Sequence, residues 1–242
     1  MNKLTVVGIG PGAADQMTLR AMRALQEADV IAGYGVYVEL VRPLFPHKET
    51  LVTPMRREAE RCRMAIAAAM EGRHVAMISS GDAGVYGMAG LIYELSQGME
   101  LTIEVVPGVT AALSGGAVLG APLTHDFAVI SLSDLLTPWE TIERRLDAAA
   151  SADFCIAIYN PSSVRRADYL RRSCEILLRH KRPDTLCGAV RNIGREGEEA
   201  ELMSLSALAD YRADMFTTVF VGNDRTREID GKMVTPRGYR DV

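Results

Sequence analysis

Cysteine, histidine and aromatic side chains are all scarce in this chain. Its four cysteines, Cys62, Cys155, Cys174 and Cys187, are widely spaced and form no C-x-x-C pair. That spacing gives no zinc-ribbon or redox-dithiol signature and fits reduced thiols in a cytoplasmic protein. The four histidines, His47, His74, His125 and His180, are too few and too dispersed for a multi-histidine metal centre. No protein-bound metal is therefore expected. No apolar run approaches the roughly 20 residues that a membrane-spanning helix needs, so no membrane partner is expected. The net charge of −4 supplies no global basic field, which argues against a nucleic-acid partner. Met1-Asn2-Lys3-Leu4 runs directly into a strand-like segment, so no secretory leader is expected.

What is present is ordinary for a globular enzyme. The chain has 242 residues, 48% of them hydrophobic and 24% charged. That length allows one or two domains. Apolar runs at 4–7, 30–32, 75–78 and 102–105 read as buried strands. Helical patterns at 18–28, 57–71 and 88–95 alternate with them. In the first of these helices, Leu19, Met22 and Leu25 form the expected apolar face. Such alternation argues for a parallel sheet with helices on both faces. The pattern then shifts. Strands at 127–130 and 154–159, with helices at 140–149 and 168–178, precede three close strands at 185–190, 199–203 and 217–221. Their closeness suggests hairpin pairing and a mixed sheet. The expectation is a two-domain α/β protein, 1–118 and 119–242, with its boundary in the small-residue run at 115–124. The polar tail from Asp230 is expected to be peripheral.

Several motifs sit where strands end. G-I-G-P-G-A, Gly8 to Ala13, has the form of a dinucleotide fingerprint. Pro11 removes an N–H that a pyrophosphate would use, and no acid ends the second strand to bind a ribose. A nicotinamide dehydrogenase is disfavoured on both counts. S-S-G-D-A-G-V-Y-G-M-A-G, Ser79 to Gly90, lies at the carboxyl end of a parallel strand, where open α/β sheets place ligands. Asp82 either accepts from a ligand or caps the following helix. Tyr86 and Met88 are candidates for substrate contact. In V-P-G-V-T-A-A, Val106 to Ala112, Thr110 either caps a helix or touches a ligand. In Y-N-P, Asn160 precedes a proline and is expected to be extended.

The segment Gly120 to Trp139 is unusually polar for the neighbourhood of a strand. His125, Asp126, Ser131, Ser133 and Asp134 fall within ten positions of one another. Two arginine groups, Arg56, Arg57, Arg61 and Arg63, and Arg165, Arg166, Arg171 and Arg172, form either solvated faces or a collar for a polyanion.

Together these motifs resemble the tetrapyrrole (corrin/porphyrin) methylase family. G-I-G-P-G, S-S-G-D-A-G-V-Y-G-M-A-G and V-P-G-V-T-A-A match its N-terminal half. The 120–139 segment, M-R-R-E-A-E-R-C at 55–62, Y-N-P, V-R-N-I-G-R-E-G-E at 190–198 and M-F-T-T-V-F-V-G-N at 215–223 look like its precorrin-3B C(17)-methyltransferase branch. The family's G-D-P triplet is Gly81-Asp82-Ala83 here.

The resemblance implies two α/β domains with S-adenosylmethionine in the cleft between them, a homodimer, and a small-molecule tetrapyrrole substrate. It implies cofactor contacts at Pro11, Gly81, Asp82, Val85, Thr110, Ala111, Asn160, Val190 and Thr218. The implied reaction of cobalamin biosynthesis methylates carbon 17 of the macrocycle and contracts the ring, leaving S-adenosylhomocysteine. A cobalt-factor III methyltransferase or a sibling precorrin methylase is the alternative. For the contraction, His125 is the candidate acid–base group, with Asp126 or Asp134 to orient it and Ser131 or Ser133 to bond the reacting oxygen. Arg56 and Arg57 are the candidate rim for the substrate's carboxylates.

Overall fold

The computed structural model describes residues 2–163 and 166–240. The chain divides into two compact units between Thr110 and Ala111. The division falls one helix earlier than the expected boundary, because residues 111–119 form one helix that packs with the second unit.

The first unit contains β1 (Lys3–Gly8), α1 (Leu19–Glu27), β2 (Val30–Tyr34), α2 (Gly35–Val41), β3 (Glu49–Thr53), α3 (Glu58–Met70), β4 (His74–Ser79), α4 (Ala89–Leu95) and β5 (Thr102–Val106). Its five strands pair in the order β3-β2-β4-β1-β5, all parallel. Successive side chains of a strand point to opposite faces. Leu4, Val6, Val75 and Met77 accordingly pack on α3 and α4 with Cys62, Ala65 and Ile92. Val7, Ile9, Ala76 and Ile78 pack with Leu25, Val38 and Val41 of α1 and α2. Burial on both faces is why these strands read as continuous apolar runs.

Helix α1 starts where the Thr18 hydroxyl accepts a hydrogen bond from the Ala21 N–H at 3.1 Å, an N-cap. Its buried face differs from the expected one. Ala21, Ala24 and Leu25 face the sheet, whereas Leu19 is 76% exposed. Small alanines let the helix approach the strands closely, so they line the contact.

The second unit contains α5 (Ala111–Leu119), β6 (Gly120–Ala121), β7 (Phe127–Ser131), α6 (Trp139–Ser151), β8 (Cys155–Tyr159), α7 (Tyr169–Leu177), β9 (Leu186–Arg191), β10 (Glu199–Ser204), α8 (Leu205–Leu208), β11 (Thr217–Val221), β12 (Arg227–Ile229) and β13 (Lys232–Val234). The main sheet runs β10-β9-β11-β8-β7. Only β7 and β8 are parallel; the other neighbours are antiparallel. The mixed sheet is thus present. One face packs on α6, α7 and α8 through Ile142, Leu146, Leu170, Cys174 and Leu205. The other packs on α5 through Ala112, Leu119, Val190 and Phe220.

The tail is not peripheral throughout. Met233 and Thr235 are fully buried. β13 pairs with β6, and the Thr235 hydroxyl donates to the Pro122 carbonyl at 2.7 Å. Polar composition concealed this because β12 is exposed throughout and β13 buries only its middle residue.

Candidate active site

In the first unit the loops after β1, β4 and β5 meet backbone to backbone. Gly10 and Gly81 exchange hydrogen bonds, N–H to carbonyl, at 3.0 and 2.7 Å. A Cβ on Gly108 would lie 2.2 Å from the Gly81 carbonyl oxygen, and one on Gly8 would lie 2.7 Å from the same atom. No side chain fits there. The three motifs are glycine-rich at these positions because their main chains touch. The outcome is a cradle of main-chain groups at the carboxyl ends of the central strands, with Pro11 buried beneath its edge.

Asp82 fastens this cradle. Its Oδ1 accepts from the Gly84 and Val85 N–H groups at 2.8 and 3.1 Å, and its Oδ2 accepts from the Gly108 N–H at 3.0 Å. It does not cap α4, whose N-cap is Met88 without a side-chain bond. A carboxylate committed to three backbone donors positions loops rather than presenting both oxygens to a ligand. Tyr86, in the same loop, has φ of +54° and is 57% exposed. A bulky residue in the left-handed region costs about 1–2 kcal/mol, and such strain gathers at functional sites. Met88 is half-buried, and its N–H bonds the Ser79 hydroxyl at 3.2 Å.

The first arginine group is not one surface. Arg56 has φ of +66°, and Arg57 pairs with Glu60 at 2.9 Å; both are exposed. Arg61 is buried instead, under the Tyr34 ring at 5.9 Å, with its Nη1 3.4 Å from the Thr53 carbonyl. Arg56 and Arg57 precede α3, whereas Arg61 lies on the buried side of its first turns. Of the second group, Arg165 lies outside the described residues.

In the second unit, Ser131 ends β7, Asn160 follows β8, Val190 lies near the end of β9, and Thr218 lies near the start of β11. Pairing of Thr218 with Val190, and of Ser131 with Tyr159, places all four at one end of this sheet. The Asn160 side-chain amide donates to the Ser131 hydroxyl at 2.9 Å, and the Ser133 N–H donates to the same oxygen at 3.2 Å. Asn160 is not extended: its φ is +52°. Asparagine tolerates the left-handed region, and the turn aims its amide at Ser131. Val190 and Thr218 are buried. Ala111 opens α5. The next residue's N–H, on Ala112, donates to the Tyr159 phenol at 2.6 Å. Sequence gives Tyr159 no role beyond its place in Y-N-P, because it reads as the last residue of an apolar strand.

The polar segment 125–134 does not form one cluster. His125 and Asp126 precede β7, whereas Ser131, Ser133 and Asp134 end or follow it. At about 3.3 Å per residue, the strand holds the two groups roughly 15 Å apart. Among the described residues, the His125 Nδ1 accepts its neighbour's backbone N–H, from Asp126 at 3.0 Å, with the Asp126 carboxylate 3.7 Å away. Asp134 does not orient His125. Its Oδ2 accepts from the Tyr169 hydroxyl at 2.6 Å. That bond raises the Tyr169 pKa above its ordinary value. Closeness in sequence misled here because an extended chain separates what a helix would gather.

The four cysteines are buried, and burial pushes the Cys62 thiol up to about 11 and the Cys174 thiol up to about 12. Among the described residues, no three His, Cys, Asp or Glu side chains are grouped to hold a metal. Nor is any helix among them long and apolar enough to cross a membrane.

A parallel sheet with a main-chain cradle at its carboxyl edge, joined to a mixed sheet of this order, defines a class. The chain belongs to the family of Tetrapyrrole (Corrin/Porphyrin) Methylases, whose model matches residues 3–209. Among its relatives is a probable cobalt-factor III C(17)-methyltransferase of Salmonella typhimurium, 48% identical over 98% of this chain and 99% of that protein. The cobalt-factor III methyltransferase of Priestia megaterium is 47% identical, but this chain spans only 45% of its length. Among solved structures, the methyltransferase CobJ matches with a TM-score of 0.88 at 38% identity, covering 98% of this chain and 100% of that one. The uroporphyrin-III C-methyltransferase of Thermus thermophilus, complexed with S-adenosylhomocysteine, shares the fold with a TM-score of 0.71 at 22% identity, over 91% of this chain and 97% of that one.

Proposed function

We propose that this protein is an S-adenosylmethionine-dependent methyltransferase of cobalamin biosynthesis that methylates carbon 17 of a corrin precursor, with contraction of the ring. The observation that carries this reading is the cradle of Gly8, Gly81 and Gly108, where a Cβ on Gly8 or Gly108 would collide with the Gly81 carbonyl. It fits a donor held largely by main-chain groups, as an adenosine and an amino-acid moiety require. S-adenosylmethionine, when bound, supplies the methyl group. In the first unit, Pro11, Gly81, Val85 and Thr110 would hold it, with Asp82 fixing the loop shape. For the second unit we propose the same role for Ala111, Asn160, Val190 and Thr218.

Methyl transfer to carbon asks chiefly for alignment, and positioning can remove up to roughly 7–11 kcal/mol from a barrier. Ring contraction also requires protons to move. We assign that work to the Ser131 end of the second sheet, where a hydroxyl is fixed by Asn160 and Ser133. His125 is the competing assignment, as the imidazole of the polar segment 125–134. Arg56, Arg57, Tyr86 and Met88 are proposed as substrate contacts, and the working assembly as a homodimer.

On the substrate's metal state, precorrin-3B was the first expectation. Three relatives at 44–48% identity are instead named for cobalt-factor III, which favours that substrate. Turnover of cobalt-factor III and of metal-free precorrin-3B, each with the labelled methyl donor, separates the two. Faster methylation of the cobalt form supports this reading, and faster methylation of the metal-free form reverses it.

A further inference from the structure

We infer that Arg166 grips a carboxylate of the macrocycle, an assignment that rests on the methylase reading above. Its side chain is only 13% exposed. Nη1 is sealed from solvent and meets no hydrogen-bond acceptor among the described residues. Nε donates to the Ser163 hydroxyl at 3.0 Å. The carboxylate beside it, Asp134 Oδ1, is 3.9 Å away. That is beyond hydrogen-bond reach, and the other Asp134 oxygen is taken by the Tyr169 phenol at 2.6 Å.

A buried charged donor without an acceptor is costly. Native structures leave few such groups unpaired, and a ligand carboxylate would complete this one. A guanidinium is a planar fork that matches a carboxylate with two parallel bonds. The place fits as well. Asp134 follows β7 and Arg166 follows β8, at the carboxyl ends of the one parallel pair in this sheet. Ser131 and Asn160 are at that same end. The connection that carries Asp134 also carries Leu135 and Leu136, which are 60% and 98% exposed. A buried cation with an unpaired donor, in a connection next to one that carries bare apolar side chains, suits an acidic, otherwise apolar ring.

Among the described residues, the other two arginines of this group are engaged. Arg171 binds the Asp210 carboxylate, and Arg172 stacks on Trp139 at 4.1 Å. Arg166 is thus a specificity-determining residue, and Asp134 and Tyr169 position it without quenching it.

The test is steady-state kinetics of the whole chain with the macrocycle as free acid and as carboxyl methyl ester, plus S-adenosylhomocysteine affinity by calorimetry. Arg166→Gln should raise KM for the acid by roughly ten- to hundredfold, the weight of a lost charge-assisted bond. It should leave S-adenosylhomocysteine affinity and the ester's KM unchanged. Arg166→Lys should recover part of the loss, since it keeps the charge without the fork. An unchanged KM for the acid, or equal rises for acid and ester, would overturn the assignment. Should Arg166→Gln fail to fold, Arg166→Lys carries the test alone, as does the wild type: equal KM for acid and ester already refutes it. If the wild type methylates no macrocycle at all, the functional reading itself falls.

Discussion

The Asp82 carboxylate reaches across from the loop after β4 to the Gly108 N–H after β5, at 3.0 Å. One acidic side chain thereby sets the distance between two glycine-rich loops. Asp82→Asn would turn an amide donor toward a backbone donor. We expect a loss of about 1–3 kcal/mol in stability and weaker S-adenosylhomocysteine binding. Urea unfolding and calorimetry measure both. Undiminished affinity would show that the loops hold their shape without this carboxylate.

The glycines of the cradle should not be interchangeable with those outside it. Gly108→Ala places a Cβ 2.2 Å from the Gly81 carbonyl oxygen. Overpacking of that kind costs roughly 1–3 kcal/mol, and donor binding should fall with it. Gly90→Ala, in α4, meets nothing within 4 Å. Replacing a helical glycine there should stabilise by about 0.5–1 kcal/mol. Thermal midpoints of the two variants should therefore move in opposite directions.

Glu104 gives a pH-dependent contribution. Hydrogen bonds from Arg20 first, then Lys3, hold its pKa below the ordinary 4.5. A carboxylate with a depressed folded pKa stabilises fully above its unfolded pKa. That contribution is lost as pH falls through the folded value. Glu104→Gln should thus be less stable than wild type at neutral pH, and the gap should close under acid. A gap that is constant with pH would mean the ion pairs contribute nothing.

The two proton-handling assignments make opposite forecasts. Ser131→Ala should impair ring contraction by at least tenfold while S-adenosylhomocysteine still binds. His125→Ala should leave product formation within a few-fold. Mass spectrometry of contracted and uncontracted macrocycle distinguishes them. Loss of contraction in His125→Ala alone would return the role to the histidine.

Most of the fold was legible because buried parallel strands write themselves as apolar runs, as at Leu4–Val7 and Val75–Ile78. The strand Glu49–Thr53 escaped notice because, at the sheet edge, half its residues face solvent. The helix Gly35–Val41 escaped because it follows β2 without a loop. For the site, the glycine motifs were readable, since close backbone contact leaves glycine as its trace. The Asp134–Tyr169 bond was not. It joins residues from two connections, and nothing in either stretch names the other. The polar run 125–134 gave the opposite error, a sequence cluster that a strand pulls apart.

The most direct measurement uses S-adenosylmethionine with a carbon-13 methyl group, the purified protein and cobalt-factor III or precorrin-3B, followed by carbon NMR of the macrocycle. The account predicts one labelled methyl, bonded to carbon 17 of a contracted ring. A label on another ring carbon, or an unlabelled macrocycle from a protein that binds S-adenosylhomocysteine, would contradict it.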